Sequence, residues 1–321
     1  MLRTRLCDLL GIDVPVIQAG MSIFTSPALA AAVSNAGGLG SLGAWQRRLP
    51  RLRDDLDDLR RLTSRPFAVN HVVPDLDQAA FELTLEARPA VVSFALDDPG
   101  ELVEQVHAAG SLVMQQVTTV DQAVRAAGRG ADIVVAQGTE AGGYGGVVAT
   151  LALVPQVVDA VSPVPVVAAG GIADGRGLAA ALVLGAVGVN IGSRFLACHE
   201  APVGEAWKQA LLDAPSEAWV QLDFVNDIRP NPGALGYGTR VRALRNAFTG
   251  HWEDNRAEVQ QDSAPVTESI RQAAREGRLE DLFVVGGQSA GLLREILPAA
   301  VVVRAVMAQA EEALRRGAAL T

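Results

Sequence analysis

The chain has 321 residues, 49% of them hydrophobic and 20% charged, which is enough apolar material for a large core in one big domain or two. A formal net charge of −9 and a pI near 5.0 speak against nucleic acid or an anionic membrane surface as the main partner. Two cysteines, Cys7 and Cys198, form neither a disulfide framework nor a CxxC zinc spacing, so a reducing cytoplasm is the expected setting. The N-terminus lacks the apolar core of a signal peptide. The most apolar stretch, LAAALVLGAVGVNIG, carries Gly185, Gly188 and Asn190 and falls short of a membrane span.

In chain order, VPVIQAG (14–20) reads as a strand. Thr25 or Ser26 then caps a helix with Pro27 in its first turn, and Gly37 ends it. LGSLG (39–43) is a short strand. Leu52, Leu56, Leu59 and Leu62 recur at helical spacing with mixed charges between them. FAVNHVV, AVVSFAL, LVMQQV, DIVVAQG, VPVVAAGG and VGVNIGSRF follow as further apolar runs, each succeeded by a helical or loop pattern. Eight such runs, continuously apolar as strands buried on both faces should be, favour an α/β fold of the closed (β/α)8 TIM-barrel type over an open doubly wound sheet.

After about Trp207 the pattern turns polar and helical, interrupted by RPNPGALGYG. We expect residues 1–212 and 283–321 to form the barrel and residues 213–282 an inserted helical cap that shapes a substrate site. FVVGGQSAGLL and the apolar helix that follows it return to close the barrel.

GLGSLG (38–43) matches GxGxxG, but it follows a helix and is itself a strand. A dinucleotide fingerprint needs the opposite context, so close helix packing explains these glycines better. AAGGIADGRG and NIGSR differ, because they end the seventh and eighth barrel strands. Loops at those two positions form the phosphate cradle of such barrels. Gly170, Gly171 and Gly192 let backbone approach an anion, with Asn190 beside them and Ser193 adding a hydroxyl. Gln18, Asn70, Gln116 and Gln137 interrupt other strands near their C-terminal ends. Buried amides need partners, and a flat heterocycle with N–H and C=O edges supplies them. A phosphate plus such a ring suggests flavin mononucleotide (FMN). Of the four histidines, His107 is expected on the surface, His71 points away from Asn70 by alternation, and His199 is a candidate for the barrel mouth. No metal constellation is visible.

AAVSNAGGLGSLG, FAVN, QGTEAGGYGG, VPVVAAGGIADGRGLAAALVLGAVGVNIGSRF and LRNAFTGHW together resemble the nitronate monooxygenase family over nearly the whole chain. The resemblance implies an FMN-binding barrel with a helical cap. It implies flavin contacts at Gln18, Gly20, Met21, Asn70, Gln137, Gly142, Gly171 and residues 190–193. It also places the segment of Ser289 near the ring. Flavin-dependent enoyl-ACP reductases and NADH:quinone reductases share the scaffold, so the fold does not fix the reaction.

One departure matters. The family loop normally reads E-A-G-G-H, and the histidine is taken as the catalytic base; here the position is Tyr144. An ordinary phenol titrates near pH ~10 and an imidazole near ~6.5, so tyrosine is a poor general base but a competent hydrogen-bond donor. Gly142 and Gly143 would let this loop press on the flavin while Tyr144, with Ser289 as a weaker candidate, faces the ring. The expected activity is oxidation of pre-formed alkyl nitronates, with O2, to a carbonyl compound and nitrite. The alternatives are NAD(P)H-dependent reduction of a quinone or enoyl thioester, and flavin binding without turnover. Self-association as a homodimer is compatible with the sequence.

Overall fold

The computed structural model of the protein describes residues 2–228 and 239–320. Eight parallel strands, β1 (Val16–Gln18), β2 (Gly40–Gly43), β3 (Phe67–Val72), β4 (Val91–Ala95), β5 (Leu112–Val117), β6 (Ile133–Gln137), β8 (Val166–Ala169) and β9 (Gly188–Ile191), pair in the order β1-β9-β8-β6-β5-β4-β3-β2. The missing edge is closed by a parallel bridge between Ile17 and Leu39, with Gln18 N donating to Leu39 O at 2.9 Å. The result is a (β/α)8 TIM barrel, as the run of apolar strands led us to expect.

The local reasons are those of the sequence. Ser26 Oγ accepts from Leu29 N at 3.0 Å with Pro27 at the first helical position, so Pro27–Asn35 begins where a capped helix should. A Cβ on Gly40 would lie 1.9 Å from the carbonyl oxygen of Ala30. The GLGSLG glycines therefore serve helix-on-strand packing. The last helix, Ala299–Ala318, lies on helix Gly175–Val183, where a Cβ on Gly175 would meet Ala310 N at 2.2 Å. Valines of β4, β5, β6, β8 and β9 join apolar residues of the surrounding helices in the main core. None of the described helices is long and apolar enough to cross a membrane.

The segment 213–282 contains helices Ala247–Asp254, Arg256–Gln261 and Ala264–Glu276. It also holds two strands that no sequence signal had marked, β10 (Trp219–Leu222) and β11 (Arg240–Leu244). These pair antiparallel with β7 (Gly143–Gly145), which belongs to the loop after β6. The RPNPGALGYG interruption at 229–238 lies outside the described residues.

Candidate functional site

A cavity of about 510 Å³ opens at the C-terminal ends of the barrel strands. Of the residues singled out in the sequence, Gln18, Gly20, Met21, Asn70, Gln116, Gln137, Gly142, Gly143, Tyr144, Gly170, Gly171, Asn190, Gly192, Ser193 and Ser289 line it, whereas Ile191 and His199 do not. Parallel strands produce this convergence, because their C-terminal residues all end on one face of the barrel.

The glycine loops have the backbone that an anion cradle needs. Gly170 and Gly171 sit at φ +93° and +73°, in the left-handed region. A Cβ on Gly171 or Gly192 would meet nothing closer than 3.6 Å and 3.5 Å respectively. Nearby, Ser193 Oγ accepts from Gly287 N at 2.8 Å, so its own proton is left to donate.

The amides divide into two sets. Gln18 is spent within the protein: its Oε1 accepts from Ser41 N at 2.9 Å and its Nε2 donates to Ala19 O. Asn70 donates to Ser93 Oγ at 2.9 Å, and Gln137 Nε2 donates to the Tyr144 carbonyl at 2.8 Å. Each of the latter two keeps an oxygen with no hydrogen bond to the described protein. Asn190 Oδ1 is buried with no partner.

Tyr144 is half-buried on β7 and opposite Val241 of β11. Its loop is held from the inserted segment. Arg242 Nε donates to Thr139 O at 2.9 Å and its Nη1 to Trp219 O at 2.5 Å, while Gln221 Nε2 donates to Gly146 O at 2.9 Å. Arg242 is 6% exposed, and burial lowers its pKa from the usual guanidinium value against the pull of Glu140. The sequence reading missed this residue. Its only signal was the alternation in RVRAL, which puts Arg240 and Arg242 on one face of a strand.

Two features of the lining carry chemical weight. First, among the described residues around the cavity there is no Asp, Glu, Lys, Arg or His. Second, of the four non-glycine residues with left-handed φ among the described residues, three line it: Ser22 at 49°, Gln46 at 62° and Leu96 at 73°. Backbone strain of this kind costs on the order of 1–3 kcal/mol per residue and gathers at functional sites.

The histidines stand aside. His71 is buried beneath Phe81, with Nε2 at 3.0 Å from Thr84 Oγ1, and burial pushes its pKa down to about 4. It lines an adjoining cavity of about 440 Å³ that shares Trp45, Gln46, Val72 and Tyr144 with the first. His199 is exposed and His107 pairs with Asp132 near the surface, both away from the cavity.

The barrel mouth gathers glycine loops and amide side chains around one cavity, and the family to which the chain belongs makes it an oxidoreductase. The nitronate monooxygenase family model matches residues 3–81 and 77–309, and the chain belongs to that family. It is 43% identical over 261 residues to the (3aS,4S,5R,7aS)-5-hydroxy-7a-methyl-1-oxo-octahydro-1H-indene-4-carboxyl-CoA dehydrogenase of Rhodococcus jostii (strain RHA1), covering 77% of this chain and 72% of the relative. A probable nitronate monooxygenase of Staphylococcus aureus (strain Newman) is 32% identical, over 89% of this chain and 92% of its own. Among solved structures, FabK from Thermotoga maritima superposes with a TM-score of 0.90 at 34% identity, covering 100% of both chains.

Proposed function

We propose that the protein is an FMN-dependent oxidoreductase that takes a substrate needing no protein base. The observation that carries this reading is a cavity whose described lining holds no charged side chain and has Tyr144 on its wall. Support for FMN comes from the cradle, where positive-φ glycines and the Ser193 hydroxyl suit a phosphate, and from the unpaired amide oxygens of Asn70, Gln137 and Asn190, which suit the edge of a flavin or its ribityl chain. A bound flavin supplies hydride or single-electron transfer.

Without a base, the protein does not activate an unreactive C–H bond. Two substrate classes avoid that step. The one favoured here is a thioester whose neutral, largely apolar acyl chain carries a conjugated double bond, reduced with NAD(P)H as electron source. Ile23, Phe24, Val225, Val241, Ile270 and Phe283 offer it an apolar wall, and the described lining holds no cation that would draw a small anion. The 43% identity to a protein named as a carboxyl-CoA dehydrogenase supports a CoA thioester as the substrate class. In this role the Tyr144 phenol donates to the thioester oxygen and gives the proton that balances the incoming hydride. The second reading is oxidation of pre-formed alkyl nitronates with O2 to a carbonyl compound and nitrite, favoured by the family itself. There Tyr144 holds the nitro oxygens.

Anaerobic mixing of purified holoprotein separates the two. Bleaching of the flavin band by NADH or NADPH, reversed by a 2-enoyl-CoA, is the result expected. Bleaching by ethylnitronate alone establishes the second reading. A flavin that neither reductant bleaches would leave binding without turnover and overturn both.

A further inference from the structure

The side cavity of about 440 Å³ shares Trp45, Gln46, Val72 and Tyr144 with the main one, but Arg47, His71, Asp75 and Asp77 also line it and give it a different character. Arg47, the one cation among its described lining residues, is used up: it pairs with buried Asp55 and donates to the carbonyls of Gly43 and Thr25 at 2.9 and 2.8 Å. Trp45 Nε1 donates to Asp75 Oδ2 and Ala80 N to Asp77 Oδ1, both at 3.1 Å. That leaves one oxygen of each carboxylate without a hydrogen bond to the described protein. His71 is 3% exposed. Thr84 Oγ1 gives its proton to Ala80 O at 3.0 Å, so at its 3.0 Å contact with His71 the imidazole Nε2 is the donor. The neutral ring then has Nδ1 as an acceptor, with no hydrogen bond to the described protein. A buried acceptor on a cavity wall calls for a donor. A flavin in the main cavity would fill much of its 510 Å³, so a second reactant extends past Tyr144 into the space beside it.

We propose that the side cavity is a second ligand subsite, taking a neutral or cationic group that donates N–H or O–H hydrogen bonds, such as a carboxamide or a polyol, and turning away carboxylates and phosphates. Donors on the ligand meet His71 Nδ1 and the remaining oxygens of Asp75 and Asp77. An anion would face two carboxylates with no free cation in the described lining to offset them. This rests on the flavin reading given above and adds to it where the second reactant lies. Two reactants of the favoured reduction carry such a group: the nicotinamide riboside end of the electron donor and the pantetheine arm of an acyl thioester.

The experiment is isothermal titration calorimetry of flavin-loaded protein with nicotinamide riboside and with panthenol, the amide and polyol core of the pantetheine arm. Nicotinic acid riboside and pantothenate, which carry a carboxylate instead, are the matched anions. Wild type is compared with Asp75→Asn, Asp77→Asn and the double variant; asparagine keeps an oxygen to accept from Trp45 or Ala80 and removes the charge. The expected result is that wild type binds at least one of the two probes about tenfold or more tightly than its matched anion, and that the double variant narrows this to about threefold or less. Binding of nicotinamide riboside alone assigns the group to the electron donor, and of panthenol alone to the acyl thioester; either upholds the proposal, as does binding of both. Wild type that binds neither probe or shows no preference, or a preference that survives in the double variant, overturns it. Should the double variant not fold, the single variants decide: each is expected to narrow the preference about twofold or more, and no narrowing in either refutes the idea. Protein that shows no flavin band and takes up no added FMN removes the flavin reading and this inference with it, whereas loaded protein that binds neither probe removes this inference alone.

Discussion

Replacing Tyr144 with histidine installs the residue that the resemblance implies at this position, and the size of the change can be worked out. The cavity lining contains no other ionisable side chain among the described residues except the phenol itself, so proton abstraction from carbon depends on position 144. With an ordinary phenol pKa of about 10, roughly one molecule in a thousand holds the basic form at pH 7; with an ordinary imidazole pKa of about 6.5, roughly three in four do. The competent population rises several hundred-fold, partly offset because imidazole is the weaker base. We therefore expect kcat/KM of Tyr144→His for neutral nitroethane to exceed wild type by about ten- to a hundred-fold. Rates with ethylnitronate, which has already lost that proton, should change by less than about threefold. The rate for the neutral substrate should climb with pH and level off above about 6.5, since the base works only when deprotonated. Oxygen consumption with each substrate, across pH 5.5 to 9, is the assay. A wild-type enzyme that already uses nitroethane as readily as the nitronate, with a plateau at neutral pH, would reveal a base elsewhere and refute the reasoning.

The two cradle glycines should part company on mutation to alanine. A Cβ on Gly170 would sit 2.8 Å from the carbonyl oxygen of Gly138, so Gly170→Ala should cost about 3 kcal/mol in a urea unfolding experiment. Gly171→Ala meets only the Glu140 side chain at 3.6 Å and should cost about 1–2 kcal/mol from its backbone alone, while weakening FMN binding in fluorescence titration. Arg242→Met should lower kcat in the wild type but by less than about twofold in a Tyr144→Phe background, because the guanidinium acts by holding the Tyr144 loop; full multiplication of the two effects would show otherwise. His71, with its pKa held at about 4, is neutral in the fold and becomes protonated on unfolding below about pH 6.5. Its contribution is thus complete above that pH and lost as pH falls towards 4, up to about 3 kcal/mol, and His71→Gln should flatten that part of the urea-midpoint profile.

The barrel was legible in the sequence for a definite reason. Its strands are buried on both faces, so most are apolar runs such as IVVAQ or VVAA, with polar residues prominent at the open end. Gln18, Asn70, Gln137 and Asn190 stood out for that reason, as did the glycine loops after the last two barrel strands. The sequence could not say which amides are already engaged. Gln18 reads like Gln116, yet its carboxamide is used up by Ser41 and Ala19 while Gln116 has no hydrogen bond to the described protein.

Tertiary structure alone decided the rest. GYG is too short to announce a strand; it becomes β7 only because RVRAL, nearly a hundred residues on, lies beside it. Arg194 and Arg242 sit in stretches where a charge ordinarily faces water, and chain folding removes each from solvent. Hydrophobic period is a local property and can be read along the chain. Burial of an individual charge depends on which distant segments pack over it, and that is set only once the fold is complete.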